Sequence, residues 1–185
     1  MSIEQPTVLL VEDERSLADL YAEWLELEGR YETRVAYGGT EAIDTLDEEI
    51  DVVLLDRRMP DMSGDEVLEE IKARELSCRV VMVTAVEPDF DVLEMGFDEY
   101  LVKPVQREDL VEAIDTMQAL REYDEVVQRY YQLTSKKTSL EAAKRDSELA
   151  ENEEYQALIE ELDEVRSAAD ELLEEVDDEG FRSLF

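Results

Sequence analysis

Apolar positions follow two different rhythms along this 185-residue chain. In the earlier part, short runs recur: TVLLV at 7–11, YETRVA at 31–36, VVLL at 52–55, VVMV at 80–83 and YLV at 100–102. Most are continuous rather than alternating, which marks strands covered on both faces and therefore a parallel sheet. Between them lie segments of helix length. ERSLADLYAEWLELEG spaces Leu17, Leu20, Tyr21, Trp24 and Leu27 along one predicted helix face and ends at Gly29, a C-cap candidate. GGTEAIDTLDEE, GDEVLEEIKARE, PDFDVLEMG and QREDLVEAIDTMQAL occupy the other gaps, the last with Leu110, Ile114 and Met117 at helical spacing. Alternating strand and helix signals predict an α/β fold with an open, doubly wound, five-stranded parallel sheet.

After about residue 120 the strand signal stops and a helical rhythm takes over. REYDEVVQRYYQL can extend the helix that follows the fifth strand. TSKKTS at 134–139 reads as a polar break, with Thr138 and Glu141 spaced as a capping box for the next helix. In that helix Tyr155, Leu158, Leu162, Val165, Ala169, Leu172 and Val176 recur in steps of three and four, a coiled-coil seam. Such a seam must be covered by the preceding helix, by a second copy or by a partner. The pattern thus divides the chain into an α/β domain over 1–120, a helical hairpin or coiled-coil extension over 121–178, and a charged tail over 179–185 in which Phe181, Leu184 and Phe185 could dock back.

Composition changes the picture in one respect. The chain is 44% hydrophobic, enough for a core, yet it carries 52 Asp and Glu against 18 Lys and Arg, a formal net charge of −34, with no histidine. The acidic excess surrounds apolar strands, so it reads as a solvated surface. Charge on that scale is tolerable where salt shortens the Debye length to roughly 3 Å, which suggests a salt-loving cytoplasm as in haloarchaea. The single Cys78 excludes an internal disulfide and a multi-cysteine metal site, and its place before an apolar run suggests a buried thiol. No long apolar segment is present, and the N-terminal run lacks a basic flank, so a soluble cytoplasmic protein is expected.

The candidate chemistry lies at the strand ends, because open α/β sheets bind ligands outside the carboxyl ends of their strands. Glu12 and Asp13 follow the first strand, Asp56 the third, Thr84 the fourth and Lys103 the fifth. Each alone has an ordinary explanation as a cap, a turn hydroxyl or a surface ammonium. Together they gather three carboxylates that repel one another unless a cation neutralises them. A hard divalent ion with oxygen ligands, Mg²⁺, fits that need, and Mg²⁺ favours a few carboxylates together with a phosphate. Lys103 and Thr84 then suit a phosphoryl group, and Asp56, central in the set, suits the nucleophile that would form an acyl phosphate.

LLVEDE, VVLLDRRMPDMSG, VTA and YLVKP, in this order and spacing, resemble the receiver domain of two-component response regulators over roughly residues 5–120. The resemblance implies a flavodoxin-like sheet of strand order 2-1-3-4-5. It also implies that Asp56 accepts a phosphoryl group from the phosphohistidine of a sensor histidine kinase. Asp13, Asp56 and the Arg58 main-chain carbonyl would bind Mg²⁺, with Glu12 contributing through a water, and Thr84 and Lys103 would contact the phosphoryl oxygens. Tyr100 matches the family's aromatic switch, which turns inward as Thr84 moves toward phosphate. The segment from Thr84 to Lys103 is short for the family, and EPDFDVLEMG leaves little room for a full fourth helix. Arg57 and Arg58 form an unusual pair beside the acceptor, suited to phosphate attraction or to salt bridges with acidic neighbours, of which the salt bridges are the favoured reading. Behind the receiver, LTSKKTSLEAAK and YQALIEEL resemble the HalX domain found after receivers in haloarchaea.

The main expectation is a phosphorylation-driven signalling switch whose C-terminal helices bind a second copy or a protein partner. The alternative is a DNA-binding transcriptional regulator under the same receiver. Residues 120–185 hold eight Lys and Arg against twenty Asp and Glu, with no basic recognition helix, so direct nucleic-acid binding is not expected. Aspartate-dependent phosphohydrolases share the metal and the nucleophile, but they place an Asp two residues after it, where this chain has Arg58. Beyond self-phosphorylation and slow self-dephosphorylation, no enzymatic turnover is expected.

Overall fold

The computed structural model describes residues 5–120 and 125–175. Five strands, β1 (Thr7–Val11), β2 (Glu32–Ala36), β3 (Val52–Leu55), β4 (Arg79–Thr84) and β5 (Glu99–Val102), form one sheet of order β2-β1-β3-β4-β5 with every pair parallel. The central strands β1 and β3 are buried at every position, the environment that their unbroken apolar runs require. Four helices connect and flank the strands: α1 (Arg15–Glu28), α2 (Gly39–Thr45), α3 (Gly64–Ala73) and α4 (Arg107–Leu120). Leu110, Ile114 and Met117 of α4 are fully buried, as their spacing predicts. Gly29 closes α1 with φ 65°, a left-handed C-cap that an L side chain rarely adopts. Cys78 is a buried free thiol.

Helix α1 corrects the face read from its sequence. Ala18, Tyr21, Ala22 and Leu25 are buried, while Leu20 and Leu27 are 39% and 65% exposed. Small alanines suit a helix face packed closely on a sheet, so the stripe takes in Ala18, Ala22 and Leu25 and turns away from Leu20 and Leu27. Between β4 and β5 the described chain holds no fourth helix of ordinary length, only a 3-10 turn, Phe90–Leu93.

The chain divides into two compact units. One contains the sheet and residues 95–118; the other contains Pro88–Glu94 together with the described residues from 119 onward. In the second unit, α5 (Glu125–Ala143), α6 (Asp146–Glu151) and α7 (Glu153–Glu175) follow in order. Helices α5 and α7 pack as an antiparallel pair: Arg129 Nε donates to Glu161 Oε1 at 2.7 Å, and Tyr155 Oη donates to Glu141 Oε1 at 3.0 Å. Val127, Leu133 and Leu140 of α5 and Tyr155 and Leu158 of α7 are buried, so part of the seam is covered within the chain. Leu162 and Val165 remain half-buried. The side chains of Ala169 and Leu172, and Val176, Phe181, Leu184 and Phe185, lie outside the described residues.

The predicted break at TSKKTS is not where the helix stops. Residues 134–139 lie inside α5, because Leu133, Lys136 and Leu140 form one buried face through that stretch and Lys136 Nζ donates to the Leu93 carbonyl at 3.3 Å. Packing overrides the weak helix preference of Ser and Thr. The turn comes instead after Lys144, where the Arg145 N–H is accepted by Glu148 Oε2 at 3.1 Å at the start of α6.

Candidate functional site

Parallel register brings the candidate residues to one edge. Val11 pairs with Leu55, so Glu12 and Asp56 leave the sheet at the same level; Leu55 is in turn level with Met82 and Tyr100, so Thr84 and Lys103 stand at the same edge one and two positions further along. The ladder extends into these residues: Glu12 N–H donates to Ala36 O at 3.1 Å, Asp56 N–H to Val11 O at 3.0 Å, and Lys103 N–H to Thr84 O at 2.8 Å. The backbone at Glu12, Asp56 and Lys103 is therefore held by a neighbouring strand rather than by its own loop.

Carboxylate oxygens of Glu12, Asp13 and Asp56 lie within 4.8 Å of one another. Lys103 bridges two of them, its Nζ 2.5 Å from Glu12 Oε2 and 3.0 Å from Asp56 Oδ2. Glu12, Asp56 and Thr84 are buried, Asp13 and Lys103 half-buried, and Arg58 exposed. Burial raises the Glu12 carboxyl above its ordinary value, and the nearby Asp56 charge pushes the same way, against the lowering effect of the Lys103 contact. For Lys103, burial favours the neutral amine, but its bonds to Glu12 and Asp56 outweigh that and hold its pKa above the ordinary lysine value. One ammonium faces three carboxylates, leaving a negative excess made entirely of oxygen donors. That donor chemistry fits a hard divalent cation.

A pocket of about 510 Å³ opens beside the acidic cluster, lined by Asp56, Arg58, Thr84, Ala85, Val86 and Glu87. Thr84 Oγ1 accepts the Val86 N–H at 3.3 Å, a bond that does not use the hydroxyl's own proton. The Arg58 N–H reaches Asp56 Oδ1 at 3.4 Å. Tyr100 does not line the pocket. Its ring is buried against Phe97, with centroids 5.4 Å apart, and its hydroxyl donates to Val86 O at 2.7 Å. It meets the site through the loop after β4.

The turn behind Asp56 is held tightly. Gly64 N–H donates to Arg57 O at 2.8 Å, and a Cβ at Gly64 would sit 2.2 Å from Asp56 O and 2.8 Å from Arg57 Cα. Ser63 caps α3 reciprocally with Glu66: Glu66 N–H donates to Ser63 Oγ at 3.2 Å, and Ser63 N–H to Glu66 Oε2 at 2.8 Å. Arg57 lays its guanidinium on Asp65 in the first turn of α3, with Nε 3.0 Å from Oδ1 and Nη2 3.2 Å from Oδ2. Of the two roles open to Arg57 from sequence, the salt bridge is observed. Val86 and Glu87 were not singled out from sequence, and Ala85 only as the last residue of VTA. Their signal was position alone, in the loop past a strand whose terminal Thr84 was already a candidate.

The response regulator receiver domain model matches residues 8–115, and the HalX domain model matches residues 119–185. A Haloferax volcanii protein provisionally described as a transcriptional regulator is 46% identical over 164 residues, covering 88% of this chain and 28% of that protein. Transcriptional regulatory protein CpxR of Escherichia coli is 40% identical over 110 residues, covering 58% of this chain and 47% of that one. This chain therefore spans less than half the length of both. Among solved structures, response regulator protein TrrA of Thermotoga maritima in complex with Mg(2+)-BeF matches with a TM-score of 0.53 at 31% identity, covering 60% of this chain and 98% of that one. With the receiver model spanning more than half of its residues, around a lysine-bridged acidic edge, the chain belongs to the response regulator receiver family and carries a HalX domain behind the receiver.

Proposed function

We propose that this chain is the phosphorylation-driven switch of a two-component system, with Asp56 as the acceptor. The observation that carries the reading is the convergence of Glu12, Asp13 and Asp56 within 4.8 Å, bridged by Lys103. A sensor kinase presents a phosphohistidine to the pocket. A carboxylate oxygen of Asp56 attacks the phosphorus; the new P–O bond of an acyl phosphate forms as the P–N bond breaks, and the departing imidazole nitrogen takes up a proton.

Thr84 donates its hydroxyl proton to a phosphoryl oxygen, and the Lys103 ammonium remains as a fixed charge against the added negative group. Glu12, Asp13, Asp56 and the Arg58 main-chain carbonyl would hold Mg²⁺, which when bound supplies positive charge against the phosphoryl oxygens. No acidic side chain stands two residues after Asp56, and the chain has no histidine, so loss of the phosphoryl group to water is slow and no outside substrate is turned over.

The output lies in the helical unit, whose half-buried Leu162 and Val165 offer an apolar surface to a second copy or a protein partner. The names of the two curated relatives motivate a second reading, regulation of transcription by direct DNA contact. Eight Lys and Arg against twenty Asp and Glu in residues 120–185 argue against it. Anisotropy with labelled DNA in molar KCl separates the two: site-specific binding would establish the second reading. For the acceptor itself, labelling by a small acyl-phosphate donor in Mg²⁺ should be lost in Asp56→Asn.

A further inference from the structure

We propose that Pro88–Glu94, which lies in sequence between β4 and β5 yet packs within the C-terminal helical unit, couples the state of Asp56 to the HalX helices. The chain leaves the receiver unit at Glu87 and returns at Met95. Where a receiver would place a fourth helix of its own, this chain has a 3-10 turn that both α5 and α7 contact. The grip is specific. Lys144 Nζ lies 3.0 Å from Asp89 Oδ1 and 5.6 Å from the centre of the Phe90 ring, and Lys136, buried in mid-α5, donates to the Leu93 carbonyl.

The two ends of this excursion are held differently. At the return, Phe97 is fully buried, and Asp98 accepts from the Val80 N–H at 2.8 Å and from Arg79 Nη1 at 3.2 Å, which ties the chain to β4. At the exit, residues 85–87 line the acceptor pocket, with Val86 joined to Thr84 through its N–H and to Tyr100 through its carbonyl. Only these three residues separate Thr84 from Pro88. A shift of Thr84 toward a phosphoryl group on Asp56 therefore draws on the Val86 bonds and is taken up by the segment that α5 and α7 grip. Because coupling free energy is reciprocal, loosening the grip must alter how readily Asp56 is phosphorylated.

The inference rests on Asp56 being the acceptor, and the experiment tests both in sequence. The full chain in molar KCl and Mg²⁺ is treated with a small acyl-phosphate donor, with Asp56→Asn as the unlabelled reference. Amide hydrogen exchange is then followed over 88–94 and 125–143. Phosphorylation should change exchange at least about threefold at Val92 and Glu94, whose N–H groups close the turn, and in the α5 stretch around Lys136. Lys144→Ala, remote from Asp56 in sequence, should change the half-time of labelling about two- to fivefold, the range an exposed ion pair can supply. If the wild type takes no label, the acceptor reading fails and the coupling falls with it. If it labels while exchange over 88–94 and 125–143 stays at the Asp56→Asn level, the coupling alone is overturned. That readout needs no variant to fold, so a misfolded Lys144→Ala leaves the test intact.

Discussion

Lys103→Met isolates the electrostatics of the acceptor edge. Methionine keeps an unbranched stem but removes the ammonium that sits 2.5 Å from Glu12 Oε2 and 3.0 Å from Asp56 Oδ2. The side chains it leaves behind are only 3% and 10% exposed, so water cannot replace the lost cation. At an effective dielectric constant of about 20, each contact is worth roughly 5–7 kcal/mol of gross Coulomb attraction, much of it cancelled by the cost of desolvating the charges. What remains measurable is the penalty of stranding buried carboxylates, about 3–5 kcal/mol. Mg²⁺ would restore positive charge at the same place, so it should stabilise the variant more than the wild type, in proportion to RT ln(1 + [Mg²⁺]/Kd). Urea unfolding in molar KCl, with EDTA or with excess Mg²⁺, reads both effects. The account expects a loss of about 3–5 kcal/mol in EDTA, roughly half or more of it recovered with Mg²⁺. A variant as stable as the wild type in EDTA, or one gaining no more from Mg²⁺ than the wild type does, would refute the reasoning.

Three further outcomes follow from particular contacts. Gly64→Ala forces a Cβ to 2.2 Å from Asp56 O, and since the clash is with backbone the turn must open; it should cost about 1–3 kcal/mol and slow Asp56 labelling on the order of a hundredfold, read by denaturation and by labelling rate. Arg57→Met removes the fork onto Asp65, whose carboxylate is 43% exposed, so the stability loss should stay near ~1 kcal/mol while labelling slows by less than in Gly64→Ala. Cys78 supplies a pH test, because burial and the nearby Asp98 charge push its thiol up to about 11 from an ordinary 9.0. The unfolded thiol loses its proton from about pH 9 while the folded one keeps it to about 11, so stability falls across that window. Relative to Cys78→Ala, the wild type should lose about 2–3 kcal/mol between pH 8 and 11, and parallel pH profiles would contradict the assignment.

Much of the receiver was legible because strand burial and strand-end chemistry are both local signals. VVLL is unbroken because β3 is covered on both faces, and Asp56 stands at its carboxyl end because the ladder bond to Val11 O holds it there. Legibility failed where packing between elements decides. Leu20 and Leu27 outweigh Ala18 and Ala22 on any hydrophobicity scale, yet the alanines face inward because they let α1 come close. TSKKTS looks like a break because Ser and Thr favour caps, but buried Lys136 and its bond to Leu93 O carry the helix through. The shortness of the segment before β5 was visible; that Pro88–Glu94 belongs with the C-terminal helices was not, since membership depends on residues more than forty positions away. For Arg57 the sequence favoured a salt bridge over phosphate attraction but could not name the partner, because Asp65 lies across the turn that Gly64 closes.

The central claim is that Asp56 takes the phosphoryl group, and intact-mass and peptide mapping after exposure to a small acyl-phosphate donor with Mg²⁺ in molar KCl test it most directly. The account predicts a single added phosphoryl group, labile as an acyl phosphate, carried on the peptide containing Asp56 and absent from Asp56→Asn. Label that survives in Asp56→Asn, or that maps to another residue in the wild type, would contradict it.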